Sequence, residues 1–228
     1  MTGPLKMVSS MATRELLAAL AGQYQRESGI VVLAEAAGGV EVARRISAGE
    51  AADVVVLASN AIDKLIAEGR IIGSRVDLVR SGIAIAVQVG APQPSIATEA
   101  DVKAAVQAAP SLSYSTGPSG VYLEKLFERW GILDEIRPRI VVPPPGVPVG
   151  SLVADGRAAL GFQQLSELMN LKGIAVLGAL PDSIQQMTVF SGAVCAASTQ
   201  RSAAAALLDF FAAPCVAGTK QAFGMEPA

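Results

Sequence analysis

Two rhythms of apolar residues take turns along the chain. Short runs rich in β-branched side chains, "LKMVS", "GIVVLAEA" and "ADVVVLAS", predict strands. The longer segments between them have helical spacing. In "TRELLAALAGQYQRE" the residues Leu16, Leu17, Leu20 and Tyr24 share one face. In "GGVEVARRISAGE" the inward positions are expected at Val40, Ala43 and Ile46, and "NAIDKLIAEGRI" predicts a third helix capped by Ser59 or Asn60. Because "ADVVVLAS" is apolar almost throughout, it reads as a strand buried on both faces. The βαβαβα order implies a parallel sheet with right-handed crossovers.

The rhythm then breaks. "LVRSGIAIAVQVGAP" is one long strand-like run, and a second α/β set follows it. That set comprises a helix at 99–108, a strand at 111–115, a helix at 120–130 and the strand "RIVVPPP". A helix at 150–155, the strand "AALGF", a helix at 164–170 and the strand "GIAVLG" complete it. Another long strand, "QMTVFSGAVCAA", precedes the helix "QRSAAAALLDFFAA" and a short last helix near 215–223. The strands "RSGIAIAV" and "FSGAVCAA" both enter through Ser-Gly and bracket the second set. A segment inserted into a lobe requires one exit and one return. The expected division is therefore 1–81 plus 191–228 for one lobe and 82–190 for the other.

Composition narrows the chemistry. The 228 residues are 51% hydrophobic and 17% charged, enough for one large core or two lobes of about 100 residues. With a net charge of −2 and no basic stripe, neither nucleic acid nor an anionic membrane is expected as a partner. No apolar run reaches spanning length. There is no histidine, which removes His-based nucleophile systems, His-ligated zinc and the usual general base. No metal and no cofactor are expected. Cys195 and Cys215 match no metal spacing; two buried thiols are the favoured reading, with a disulfide as the alternative. The opening "MTGPLKMVSSMATRELL" has no charged region followed by an apolar one. A periplasmic location is expected if a leader has been removed, and a cytoplasmic one if the chain is complete as given. A monomer is expected.

The places where a strand runs into a helix carry hydroxyls and bare glycines. They are Ser9-Ser10 with Thr13, Ala37-Gly38-Gly39, Thr116-Gly117-Pro118-Ser119-Gly120, Gly150-Ser151 and Gln163-Gln164. All fall at carboxyl ends of predicted strands, the edge where open α/β sheets bind ligands. Helix starts offer unpaired N–H groups and the positive end of the dipole, and glycine lets a ligand reach them. Ser9, Ser10, Gly38, Gly39, Ser81, Ser115, Ser119, Gly120, Gln163 and Gln164 are thus the candidate ligands of a small anion. For Ser119 and Ser151, capping of their own helices is an equal alternative.

The series "VSSMATRELL", "AAGGVEVARRISAGEAADVVVLAS", "GPSGVYLEKLFERWGI", "ALGFQQLSEL" and "FSGAVCAA" resembles the molybdate-binding-protein family of bacterial solute-binding proteins. The resemblance covers essentially the whole chain. It implies the two-lobe type II periplasmic-binding-protein fold. Each lobe is then a mixed, mainly parallel sheet flanked by helices, joined by a two-strand hinge and closing on a ligand. Ser10 matches that family's first ligand serine. Its second serine loop reads Ala36-Ala37-Gly38-Gly39 here, and Phe162, Gln163 and Gln164 replace its tyrosine region. The "GFQQLSEL" pattern looks more like a side branch that includes aconitate isomerase, which turns the expectation toward a small polycarboxylate.

Two functions are carried forward. The first is a solute-binding protein that captures a small anion and feeds an ABC transporter permease; it needs donors and a hinge but no titrating base. The second is a cofactor-independent isomerase of an unsaturated carboxylate, with Arg80, Glu167 and Tyr114 as its titrating candidates and Arg14 beside them. A third class, a ligand-sensing regulatory domain, ranks low because no DNA-binding segment is attached. Asp53 reads as a structural cap, Trp130 as core and Pro143-Pro144-Pro145 as a stiff connector.

Overall fold

The computed structural model describes residues 3–144 and 146–228; Pro145, part of the expected connector, lies outside the described residues. The chain divides into two compact units, Met1–Ser81 with Thr188–Ala228, and Gly82–Met187. It passes between them twice. The return falls at 187/188 rather than at 190/191, because Thr188 is already paired opposite Ser81.

Unit 1 begins β1 (Leu5–Ser10), α1 (Arg14–Ser28), β2 (Val32–Ala37), α2 (Gly39–Ser47), β3 (Val54–Ala58), α3 (Ser59–Ala67) and β4 (Ile71–Ser81). Unit 2 follows with β5 (Ile83–Gln88), α4 (Glu99–Ala108), β6 (Leu112–Tyr114), α5 (Pro118–Arg129) and α6 (Leu133–Ile136). It ends with α7 (Val149–Ala154), β7 (Leu160–Gln164), α8 (Leu165–Leu168) and β8 (Ile174–Ala179). Unit 1 is completed by β9 (Thr188–Cys195), α9 (Arg201–Ala212), α10 (Ala217–Ala222) and β10 (Glu226–Pro227).

The six-stranded sheet of unit 1 runs β10-β4-β9-β3-β1-β2. The pairs β1–β2 and β1–β3 are parallel, and β9 lies antiparallel between β3 and β4. Every residue of β3 is buried, because helices cover both faces of the sheet. Val54 and Val56 join the face packed with Leu16, Leu20, Leu207 and Phe211, whereas Val55 and Leu57 join Val42, Ile46, Ile62 and Leu65. The four-stranded sheet of unit 2 runs β6-β7-β5-β8, with β6–β7 parallel and both β5 ladders antiparallel. Its larger core joins Ile83, Ile85 and Phe162 to Val102, Val106, Leu123 and Phe127. On the other face α7 packs so close that a Cβ on Gly161 would stand 2.4 Å from Val153 Cγ2.

Several expectations are corrected. Because α2 starts at Gly39, its inward pair is Val42 and Ile46 (i, i+4); Val40 is 70% exposed and Ala43 half-buried. No side chain caps α3, whose N-cap residue is Ala58 rather than Ser59 or Asn60. The long run 78–92 is interrupted at Gly82, where a Cβ would meet the Gln185 side chain at 2.9 Å. Gln185 spends its amide there, accepting from Ile83 N at 2.8 Å and donating to Ile83 O at 3.0 Å. "RIVVPPP" makes only an isolated bridge, Leu112 with Ile140, since prolines bring no N–H to a ladder. Cys195 and Cys215 are both free; Cys195 is buried as expected, but Cys215 is exposed.

Candidate functional site

In unit 1 the strands β1, β2 and β3 are parallel, so their carboxyl ends share one edge of the sheet. The register sets Ser9 beside Ala36 and Ser10 beside Ala37, which brings Ser10 level with the start of α2. Both serines are buried. Ser9 Oγ donates to Glu35 O at 3.5 Å, and Ser10 Oγ lies 3.4 Å from Thr13 Oγ1, which itself donates to Ser10 O at 3.1 Å. Gly38 is the N-cap of α2 and no side chain caps it. The first amides of that helix, at Gly39, Val40 and Glu41, therefore have no acceptor within the helix. Gly39 faces the serine: its Cβ would stand 3.6 Å from Ser10 Cβ. Through β9, β4 runs in the same direction as β3, so Ser81 ends on this edge too, buried and opposite Thr188. Arg80 does not join it. It pairs with Glu226 of β10, Nε to Oε2 at 2.8 Å, and is exposed.

In unit 2 the parallel strands β6 and β7 end at Tyr114 and Gln164. The turn after β6 begins α5 with Gly117 as N-cap and Pro118 in its first turn, again with no side-chain cap. Ser119 sits inside that helix, and its hydroxyl bonds the Ser115 hydroxyl at 2.9 Å. Gly120 is there from necessity: a Cβ would fall 1.6 Å from the Ser115 carbonyl oxygen. By contrast α4, outside this edge, has an ordinary capping box of Thr98 and Asp101. Other helices also lack a side-chain cap; glycine as N-cap is what α2 and α5 share.

Both glutamines are engaged within the protein. Gln163 is buried and its side chain is spent: Oε1 accepts from Gly150 N at 3.2 Å and Nε2 donates to Glu167 Oε1 at 2.7 Å. It bridges the start of α7 to the carboxylate on α8. Gln164, also buried, occupies the N-cap position of α8 and pairs with Ile83. Ser151 caps nothing, because the α7 N-cap is Pro148.

Tyr114 is engaged within unit 2. Its hydroxyl donates to Glu124 Oε1 at 3.2 Å, its ring packs edge-on to Phe127, and burial followed by the Glu124 charge pushes its pKa up to about 12. Glu124 escaped the motif reading; its place four residues beyond Gly120, on the same side of a helix, is the signal that would have found it. Arg14 is exposed and paired with Glu15 at 3.5 Å. Asp53 acts as a cap, accepting from Lys6 N at 2.9 Å and from Ser198 Oγ at 2.5 Å. Trp130 Nε1 donates to Glu99 at 2.6 Å while the indole packs on Phe127.

The profile of the bacterial extracellular solute-binding protein family matches residues 5–226. The chain belongs to this family. The solute-binding protein is 37% identical over 232 residues to an aconitate isomerase from Pseudomonas sp, covering 98% of this chain and 87% of that one. Its fold is similar to that of the periplasmic molybdate-binding protein of Azotobacter vinelandii. There the TM-score is 0.80 at 21% identity, over 97% of this chain and 98% of that one. The sulfate-binding protein SubI of Mycobacterium tuberculosis gives a TM-score of 0.79 at 14% identity, over 100% and 88%. Two α/β units with mixed sheets and flanking helices are the type II periplasmic-binding-protein architecture. Among the described residues no single helix is long and apolar enough to cross a membrane.

Proposed function

We propose that this solute-binding protein captures a small polycarboxylate of the aconitate class. Its donors are the Ser9-Ser10 and Gly38-Gly39 edge of unit 1 and the Ser115–Gly120 turn and Gln164 of unit 2. What carries the reading is the pair of glycine-started, uncapped helices α2 and α5 at carboxyl ends of strands. Amides and hydroxyls of this kind satisfy a fully ionised ligand without a counter-charge. A protonated analogue fits less well, because its extra hydrogen would face backbone amides that can only donate. The choice of polycarboxylate over a compact oxyanion rests on the aconitate isomerase relative. In the transport setting the protein would work outside the inner membrane and deliver its ligand to an ABC permease, as a monomer.

The same relative favours a second reading, in which a proton is taken from the methylene carbon next to the double bond of the bound acid and one is returned to the far alkene carbon, so that the double bond shifts by one position. Glu167, on α8 just beyond β7, is the carboxylate among the titrating candidates, and its Oε1 accepts from Gln163. Tyr114 keeps its proton up to about 12 and is committed to Glu124, and Arg80 is committed to Glu226.

Thermal unfolding against cis- and trans-aconitate, citrate, molybdate, tungstate and sulfate tests the ligand. At a hundred times its dissociation constant the true ligand adds about 2.7 kcal/mol of stability. A rise with molybdate or tungstate and none with the tricarboxylates would refute the polycarboxylate reading. Proton NMR of cis-aconitate incubated with protein then separates the two readings. Interconversion lost in Glu167→Gln, with binding retained, establishes the isomerase; no interconversion by the wild type leaves the binding protein.

A further inference from the structure

Unit 2 has a cleft of about 320 Å³ between the start of α5, the end of β6 and the extended segment that follows α6. That volume lies at the low end of the roughly 300–1,000 Å³ of small-molecule sites, so a compact ligand is called for. Val121, Ile140 and Val142 form its apolar lining. Val121 and Val142 are 52% and 66% exposed, a concentration of apolar surface in one concavity that the fold of unit 2 does not use. Opposite charges line the same space. Glu124 keeps Oε1 for the Tyr114 hydroxyl, while Oε2 makes no hydrogen bond among the described residues. Arg137 spends one nitrogen on Asp134 at 3.2 Å, leaves the rest of its guanidinium open, and is 63% exposed.

We propose that this cleft is a binding site for a small zwitterion, an aliphatic α-amino acid of the valine or leucine type. Its ammonium would meet the open Glu124 oxygen, its carboxylate would meet Arg137, and its branched side chain would cover Val121, Ile140 and Val142. A simple organic acid would meet the Glu124 charge, and a simple amine would leave Arg137 unanswered and meet its repulsion. Only a ligand carrying both charges on a short apolar body answers the two charged groups and the apolar wall together. Tyr114 holds its proton across the physiological range, so the phenol stays a donor to Glu124 and keeps that carboxylate in place. The cleft is also lined by Ser115, Thr116 and Gly120 of the turn read above as an anion donor, so a titration with cis-aconitate beside the one with leucine separates the two ligands.

The test is methyl NMR of Val- and Ile-labelled full-length protein titrated with L-leucine, with isoamylamine and 4-methylpentanoate as single-charge controls. Saturable shifts of Val121, Ile140 and Val142 are expected with leucine. Binding of either control should be about tenfold weaker or less. Glu124→Gln and Arg137→Gln alter exposed side chains and should leave the spectrum of the core unchanged while each weakens leucine by about tenfold. Absence of saturation up to about 10 mM leucine would overturn the proposal, since that concentration corresponds to an interaction of under about 3 kcal/mol. Equal binding of the amine or of the acid would also overturn it, as would leucine shifts indifferent to both substitutions.

Discussion

Two glycines at helix starts, Gly39 and Gly120, separate what the fold needs from what the ligand needs. At Gly120 an alanine methyl would sit 1.6 Å from the Ser115 carbonyl oxygen, 2.8 Å from its carbon and 3.3 Å from Tyr114 Cδ2. The first two are backbone, so no rotamer relieves the clash; the turn must open by about 1.5 Å or more to restore ordinary contact. Gly120→Ala should then cost about 1–3 kcal/mol, the usual penalty of overpacking, and break the Ser115–Ser119 hydroxyl pair. At Gly39 the same methyl finds Ser10 Cβ at 3.6 Å and Leu57 Cδ2 at 3.8 Å, both ordinary contacts. Gly39→Ala should be neutral or stabilise by about 0.4–1 kcal/mol through the unfolded chain. It nevertheless places a methyl beside the Ser10 hydroxyl at the first amides of α2, so affinity should fall about tenfold or more. Urea unfolding by circular dichroism gives the stabilities, and titration calorimetry with the aconitates gives the affinities. A fully stable Gly120→Ala would refute the account of the turn. A Gly39→Ala protein with unchanged affinity would remove the start of α2 from the site.

Other consequences can be measured on the free protein. Lys220 is buried with Nζ donating to Leu78 O at 2.9 Å, and burial lowers its pKa below 10.5. The unfolded chain then binds more protons in that window, so stability should rise with pH up to about 10.5, and Lys220→Met should abolish the slope in alkaline urea titrations. Glu50 is pushed down to about 2, chiefly by its hydrogen bonds from Arg45. The stability it contributes is complete above its ordinary value of 4.5 and is lost as pH falls toward 2; Arg45→Gln should shrink that acid-limb loss. A chromogenic disulfide reagent at neutral pH should label Cys215 in the native protein and Cys195 only after denaturation, since burial pushes the Cys195 thiol up to about 12. Asp53→Ala strands the Lys6 amide and the Ser198 hydroxyl, and urea melts should show a loss of about 1–3 kcal/mol for each unmet buried group.

What could be read from the chain alone follows the range of the forces involved. Local periodicity displayed α1 with its Leu16, Leu17, Leu20 and Tyr24 face, and the uniform burial of β3 followed from its unbroken apolar run. The serines and glycines at strand ends were visible because helix starts leave amides unsatisfied over only a few residues. Partners distant in sequence were not visible. Gln185 interrupts the run at Gly82 from across unit 2, and Glu226 takes Arg80 from the far end of the chain. The partners of Gln163, Gly150 at one end of its amide and Glu167 at the other, were not visible either. Val40 was misjudged for a geometric reason: in a helix of nine residues, the exact first residue decides which side chains face in.

The antiparallel strand β9 sits between β3 and β4, yet it is synthesised after the whole of unit 2. Val54 must therefore wait for Val194 before the middle of its sheet can close. The continuous segment 82–187 carries its own core and can mature while the ribosome is still at work, whereas the first 81 residues cannot complete their sheet until the last 41 residues have emerged. Pairings that span so much of the chain are slow to form and leave apolar strand edges open meanwhile. The half-made protein thus presents its most apolar strand, β3, with one neighbour missing, and this is the stage at which chaperone protection or aggregation is decided.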